Sequence, residues 1–174
     1  MNWLRFLRQA APALGFGFLL AFASSPGQTF FIALFGGEFR SELSLSHGAF
    51  GGLYTLATTL SAIVILWAGK LIDHVRPWKL GLAVLLAFGV CSAGVAAIHS
   101  ALWLGAALFA LRFLGQGLLS HIALTSIARW FDKERGRAMS VTMLGYTTGQ
   151  AALPVLAAAL LQAFDWRVIW IGIG

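Results

Sequence analysis

Charge is what this sequence has least of. Asp, Glu, Lys and Arg together make up 10% of its 174 residues, where a soluble domain carries about 25%. That is too little to coat a water-facing surface. The single cysteine, Cys91, lies inside an apolar run and forms no intrachain disulfide, so it says nothing of redox compartment. Alternation of polar and apolar residues over about ten positions, the mark of a barrel strand, is missing as well. The apolar runs are apolar on all sides, and in lipid that leaves the helix, which bonds its own backbone. Enzyme signatures are lacking too. There is no metal-spaced His/Cys/Asp/Glu cluster, no Gly-rich phosphate cradle before Lys-Ser/Thr, no Gly-x-Ser-x-Gly, and no paired Asp or Ser-His within a span for intramembrane proteolysis. No catalytic residue, metal or cofactor is expected.

What remains is 59% hydrophobic, with a mean hydropathy of +0.84. Stretches 9–37, 43–69, 80–111 and 138–164 carry no full charge. About 20 apolar residues cross a bilayer core of ~30 Å, and 80–111 is long enough to hold one helix, a turn near His99-Ser100 and half of the next. Helices are therefore expected at 12–35, 48–71, 78–98, 101–128 and 138–163, with connections at 36–47 and 129–137. Residues 168–174 begin a sixth helix. Seven helical residues rise about 10 Å, a third of a membrane, so the sequence reads as stopping in mid-helix. A basic start and Ala21-Phe22-Ala23 before Ser24 also fit a cleaved secretory leader. Against that, apolar character resumes at 30–35 and further spans follow.

The fold class is thus an all-α membrane protein, a polytopic helix bundle of about five full spans plus the start of a sixth. The bases set its orientation. With the N-terminus in the cytoplasm, Arg5, Arg8, Lys70, Arg76, Lys79, Arg129, Lys133, Arg135 and Arg137 fall inside, and only Arg40 and Arg167 fall outside. The net charge of +6 does not indicate nucleic acid, because the bases sit in separate turns and not on one face.

Arg112 belongs to neither side. It lies about eleven residues into the fourth span, near the bilayer midplane, where a cation costs about 2.5–3.5 kcal/mol and usually faces a cavity or partner. No acid lies within any span. Arg112 is either an anion or proton-coupling site or a packing residue bonded to carbonyls of a neighbouring helix. On helical spacing, Gly115, Gln116, Leu119 and Ser120 share its face, while His121 points elsewhere and serves packing. Two spans are interrupted, the first at Ser24-Ser25-Pro26-Gly27-Gln28-Thr29 and the fourth at Gly115-Gln116-Gly117, each carrying Gly-Gln. Interrupted segments at corresponding places in two halves point to a transporter's binding site; ordinary kinks and polar glue between helices are the alternative. In the fifth span, Gly145-x-x-x-Gly149 invites close helix approach, and Tyr146 and Gln150 share one face. For Thr55, Thr58, Thr59 and Ser61, bonding back to their own helix is expected.

The hairpin Gly69-Lys70-Leu71-Ile72-Asp73, with Arg76 and Lys79 behind it, resembles the Gly-x-Leu-x-Asp signature of the major facilitator superfamily. His74 stands where that family usually has Arg, and Arg76 where it has a later Gly. Arg112-Phe113-Leu114-Gly115-Gln116-Gly117 is similar to the family's helix 4 motif, with one residue fewer before the first Gly. Arg129-Trp130-Phe131 with Arg135-Gly136-Arg137-Ala138 is similar to its 4–5 loop, and Asp165-Trp166-Arg167 to its approach to helix 6. Four motifs in order cover essentially the whole chain, as the N-terminal six-helix half of the usual twelve, residues 1–174, truncated in helix 6.

The resemblance implies secondary active transport of a small solute by alternating access, in a bacterial cytoplasmic membrane. The first span and the loop after it are similar to members that handle organic anions. Gln28, Arg112, Gln116, Tyr146 and Gln150 would line the cavity. Gly69, Asp73, Arg76, Lys79 and Arg135 would form a cytoplasmic gating latch, with Asp73 paired to a base or a helix terminus. Expected partners are the lipid bilayer, the small-molecule substrate with or without a coupling proton, and a C-terminal six-helix half or a second copy. The rival reading is a non-transporting membrane protein or inactive half with an assembly role. A lipid-processing enzyme would need an interfacial cluster of acids or His, which is not found.

Overall fold

The computed structural model describes residues 3–174. Five helices are long and apolar enough to cross a membrane: α1 Trp3–Glu42, α2 His47–His74, α3 Pro77–Ala97, α4 Ala101–Trp130 and α5 Arg135–Leu160. A shorter α6, Trp166–Ile173, follows. Among the described residues there is no strand.

Start signals agree with local chemistry. Ser46 accepts from the Ala49 amide ahead of α2, Ser100 from Trp103 ahead of α4, and Asp165 from Arg167 ahead of α6; each fills one orphan donor of a first turn. Pro77 opens α3, where a missing N–H costs nothing.

The helices overrun the expected spans. At 1.5 Å per residue the 40 residues of α1 cover about 60 Å, twice the hydrocarbon core. Residues 3–11, expected to precede the first helix, are helical: Phe6 is buried with Leu14, Ile127 and Ala138 and packs edge-on to Phe131 at 5.8 Å. Pro12, expected to start the helix, lies inside it. Residues 36–42, expected as loop, continue α1 because Phe39 is buried against Trp166 at 5.3 Å. That leaves Leu43–Ser46 as the connection, closed by Ser44 at φ 51°. The expected hairpin is likewise nearly all helix and forms the end of α2. A turn at Gly69-Lys70 leads into one helical turn, Leu71–His74, and only Val75-Arg76 is extended.

α1 is the central element. Its packing on α5 is close because glycines remove side chains at the contact: a Cβ on Gly145 would strike the Phe18 carbonyl, and one on Gly149 the Ser25 hydroxyl. Gly17 returns the favour, lying against Thr142 and Ile127. The outer end of α1 is held to α6 by an aromatic run in which Trp170, fully buried, meets Phe35 at 5.1 Å and Phe31 at 5.7 Å. An ion pair from Arg167 to Glu42 at 2.8 Å closes the same end. α2 is the least covered span, with Leu56, Leu60, Ile63, Leu66 and Trp67 exposed.

Candidate substrate site and cytoplasmic latch

Both expected interruptions are present, and they touch. α1 breaks at Ser25–Gly27, a 3-10 turn with Pro26 in it. α4 runs as α-helix to Leu111, widens into a π-helix over Arg112–Leu119, and resumes at Ser120. A Cβ on Gly27 would lie 2.8 Å from Gly115 Cα; one on Gly115 would lie 2.9 Å from Gly27 Cα. The two Gly-Gln sequences therefore cross at their glycines. π-Helical turns are rare and concentrate at functional sites. The widening also alters the face expected from α-helical spacing. Gly115 and Leu119 are buried in packing, whereas Gln116 is exposed.

Arg112 is 6% exposed, and its partners among the described residues are side chains. Nη1 donates to Thr29 Oγ1 at 2.9 Å, beside the break of α1. The guanidinium carbon stands 5.5 Å from the centroid of the Tyr54 ring on α2, a cation–π distance. Tyr54 O–H donates to the same Thr29 oxygen at 2.9 Å. Tyr54 and Tyr146 are the only two tyrosines in the chain. Among the described residues no carboxylate pairs with it, and its Nε is buried without a partner. α1, α2 and α4 thus converge on one cation.

Gln28, 5% exposed, uses both amide protons on protein oxygens: Ser24 Oγ at 3.3 Å and Ser120 Oγ at 3.4 Å. It ties the broken part of α1 to α4 and keeps only its amide oxygen for anything else. Tyr146 is half-buried, edge-on to Phe30 at 6.1 Å. Gln150 is exposed one turn further along α5. A cleft of about 840 Å³ opens elsewhere, between α1, α3, α5 and α6. Its walls, such as Phe22, Leu86, Phe88, Leu156 and Ile173, are apolar, and it holds none of the candidate residues. The polar candidates lie outside this cleft.

At the C-terminal end of α4, Arg129 donates to the Asp73 carboxylate and, through Nη1, to the Ile72 carbonyl at 3.2 Å. His121 meets the Gly69 carbonyl at 3.1 Å. Asp73 and Arg129 lie outside the apolar part of their helices. The hydrogen bond from Arg129 outweighs the opposing effect of burial and holds the Asp73 carboxyl below the usual carboxylate range.

The sequence profile described as the Major Facilitator Superfamily matches residues 16–174. The chain is also 30% identical, over 141 residues, to the "Probable L-galactonate transporter" of Escherichia coli (strain K12). The chain belongs to the Major Facilitator Superfamily. The alignment takes in 78% of this chain and 30% of that relative, so the chain spans under a third of its relative's length. No solved structure matches.

Membership makes the five long helices the spans of an integral, multi-pass membrane protein. Within this superfamily chain the expected latch residues separate. Asp73 and Gly69 are bonded to α4, while Arg135 bonds Asp132 of its own loop at 3.4 Å. Arg76 is exposed, and Lys79 lies over the Trp78 ring at 5.5 Å. Of the expected cavity set, Arg112 is tied to Thr29, Gln28 braces the crossing and Tyr146 packs on Phe30; Gln116 and Gln150 share only exposure. Thr29, Tyr54, Ser120 and Arg129 complete these clusters without having been singled out as site residues. The sequence held one usable signal, a tyrosine in a span otherwise short of them.

Proposed function

We propose that this chain is the N-terminal wall of a secondary transporter for small organic anions, working by alternating access with Arg112 as the anion anchor. The observation that carries the reading is a buried cation with no carboxylate, held by α1 and α2 at the crossing of two distorted spans. A neutral hydroxyl and an aromatic face position Arg112 without cancelling its charge, so that charge is available to a ligand. A guanidinium offers planar, forked donors that suit carboxylates. The E. coli relative named for L-galactonate, itself a carboxylate, supports the same class. Gln116, Gln150 and Tyr146 line the wall beside Arg112. The facing wall comes from a second bundle or a second copy, against α2 and α5. The distribution of Lys and Arg supports a cytoplasmic N-terminus in a bacterial inner membrane, with the Asp73–Arg129 tie as the cytoplasmic latch. If a proton is co-transported, its carrier is not a carboxylate of these spans, since all six acids lie at helix ends or in connections.

The test is carboxylate uptake and binding in liposomes with wild type, Arg112→Lys and Arg112→Ala. Loss in Arg112→Ala with weak retention in Arg112→Lys is expected. Wild-type rates in both would remove Arg112 from the mechanism.

A further inference from the structure

Thr29 sits at the node of the Arg112 cluster, and a count of its protons says what it can still do. A hydroxyl has two acceptor lone pairs and one proton. Thr29 Oγ1 accepts from Arg112 Nη1 at 2.9 Å and from Tyr54 O–H at 2.9 Å. Both lone pairs are taken, and among the described residues no acceptor takes the Thr29 proton. Thr29 is exposed, whereas Arg112 itself is nearly buried. Donation from a cation and from a phenol polarises the Thr29 O–H and makes it a stronger donor in turn.

We infer that Thr29 is a specificity-determining residue, reading a second oxygen on the carbon next to a bound carboxylate, so that the site prefers 2-hydroxy and 2-oxo carboxylates to plain ones. This rests on the reading of Arg112 as an anion anchor. A plain carboxylate spends its two oxygens on the guanidinium fork and leaves the Thr29 proton without an acceptor. Thr29 Oγ1 stands one hydrogen-bond length from Nη1, so an oxygen on the adjacent carbon falls within its reach. The cluster contains donors and no anionic acceptor, so cations and amines are turned away by the same geometry. Tyr54 donates to Thr29 and does not accept its proton, so the discrimination rests on the Thr29 hydroxyl itself.

The experiment is binding to the 174-residue chain in lipid nanodiscs, read by ligand-induced thermal shift with a thiol-reactive dye on the single Cys91. Two matched pairs serve as probes, lactate with propionate and gluconate with 2-deoxygluconate. Wild type is expected to favour the 2-hydroxy member about ten-fold, the worth of one hydrogen bond. Thr29→Val should bring the ratio to near one, whereas Thr29→Ser and Tyr54→Phe, which keep a free hydroxyl proton at position 29, should retain it. The melting curve without ligand shows whether each variant folds, and Thr29→Ala, which also lacks the hydroxyl, carries the test if Thr29→Val does not fold. Arg112-dependent binding with no preference, or a preference that survives Thr29→Val or vanishes in Tyr54→Phe, overturns the role of Thr29 and leaves the anion anchor standing. Absence of saturable binding by any of the four carboxylates overturns both.

Discussion

The contact between Gly27 and Gly115 gives the sharpest prediction. A methyl group at position 27 would lie 2.8 Å from Gly115 Cα and 3.1 Å from the Gln116 amide nitrogen, and would run into the Leu111 carbonyl oxygen. Carbon atoms rest at about 3.5–4.0 Å, so the helices must part by about 1 Å. The obstacles are all backbone, so no rotamer change relieves them. Overpacking of this kind costs about 1–3 kcal/mol, and Gly27→Ala is expected at the upper end. The damage should also reach the site. Gln28 to Ser120 is already 3.4 Å and Thr29 lies two residues from the clash, so carboxylate affinity should fall with stability. Gly15→Ala is the control, in the same helix with no atom within 4 Å of the added carbon; it should be neutral or stabilising by up to about 1 kcal/mol. Gly115→Ala meets the Gly27 backbone and the Phe88 ring. Because both variants part the same crossing, the double variant should cost less than the sum. Unfolding in mixed SDS micelles measures each. If Gly27→Ala unfolds at the SDS fraction of Gly15→Ala, or if the two costs add, the glycines are not in contact and the reasoning fails.

Asp73→Asn should raise hydrogen exchange in 71–76 and 129–134, and alter turnover more than substrate affinity; unchanged exchange and turnover would dispose of the latch. The sign with pH follows from the lowered carboxyl. The Arg129 tie is present above the ordinary carboxylate range and is lost only as pH falls through the depressed value. Protection, corrected for intrinsic rates, should therefore be flat between about pH 7 and 5 in wild type and low throughout in Asp73→Asn. Trp170→Ala should cost about 3–5 kcal/mol in the same unfolding titration, because the ring is fully buried among Phe31 and Phe35. Glu42→Gln, removing the part-exposed pair with Arg167, should cost under about 1 kcal/mol; a larger loss would mean that this pair does more than close the outer end.

The spans were legible because lipid imposes a length and forbids charge, and a run such as 43–69 meets both conditions without reference to any other part of the chain. Helix ends were not. Residues 36–42 and 71–74 are polar enough to read as loop, yet Phe39 and Ile72 are buried by partners far away in sequence, and burial decides. Arg112 stood out as a lone cation in a span, but its neighbours did not, since Thr29 and Tyr54 are ordinary residues until three helices meet. For Asp73, several bases lay near in sequence or in the next cytoplasmic loop. Only the packing of α4 on the 2–3 turn selects Arg129 and leaves Arg135 to Asp132. The glycines of 115–117 marked a distortion without giving its form, so α-helical spacing assigned Leu119 to a face that the π-turns turn into packing.

The two distortions serve one arrangement. A straight α1 would carry Thr29 past the crossing, and an unwidened α4 would set Arg112 at a different angle. Gly27 against Gly115 lets two imperfect helices approach closely enough for Arg112 to reach across at 2.9 Å. A carboxylate in place of Thr29 would hold the guanidinium more firmly and would also neutralise it. A hydroxyl and a ring hold it by hydrogen bonding and quadrupole alone, which keeps the full positive charge in a medium of low dielectric, where it acts most strongly on an incoming anion. Thr29→Asp separates the two designs: it should fold as well as wild type or better, since it pairs a buried charge, and should abolish carboxylate binding. Improved binding in that variant would mean that the positive charge of Arg112 is not what the site offers.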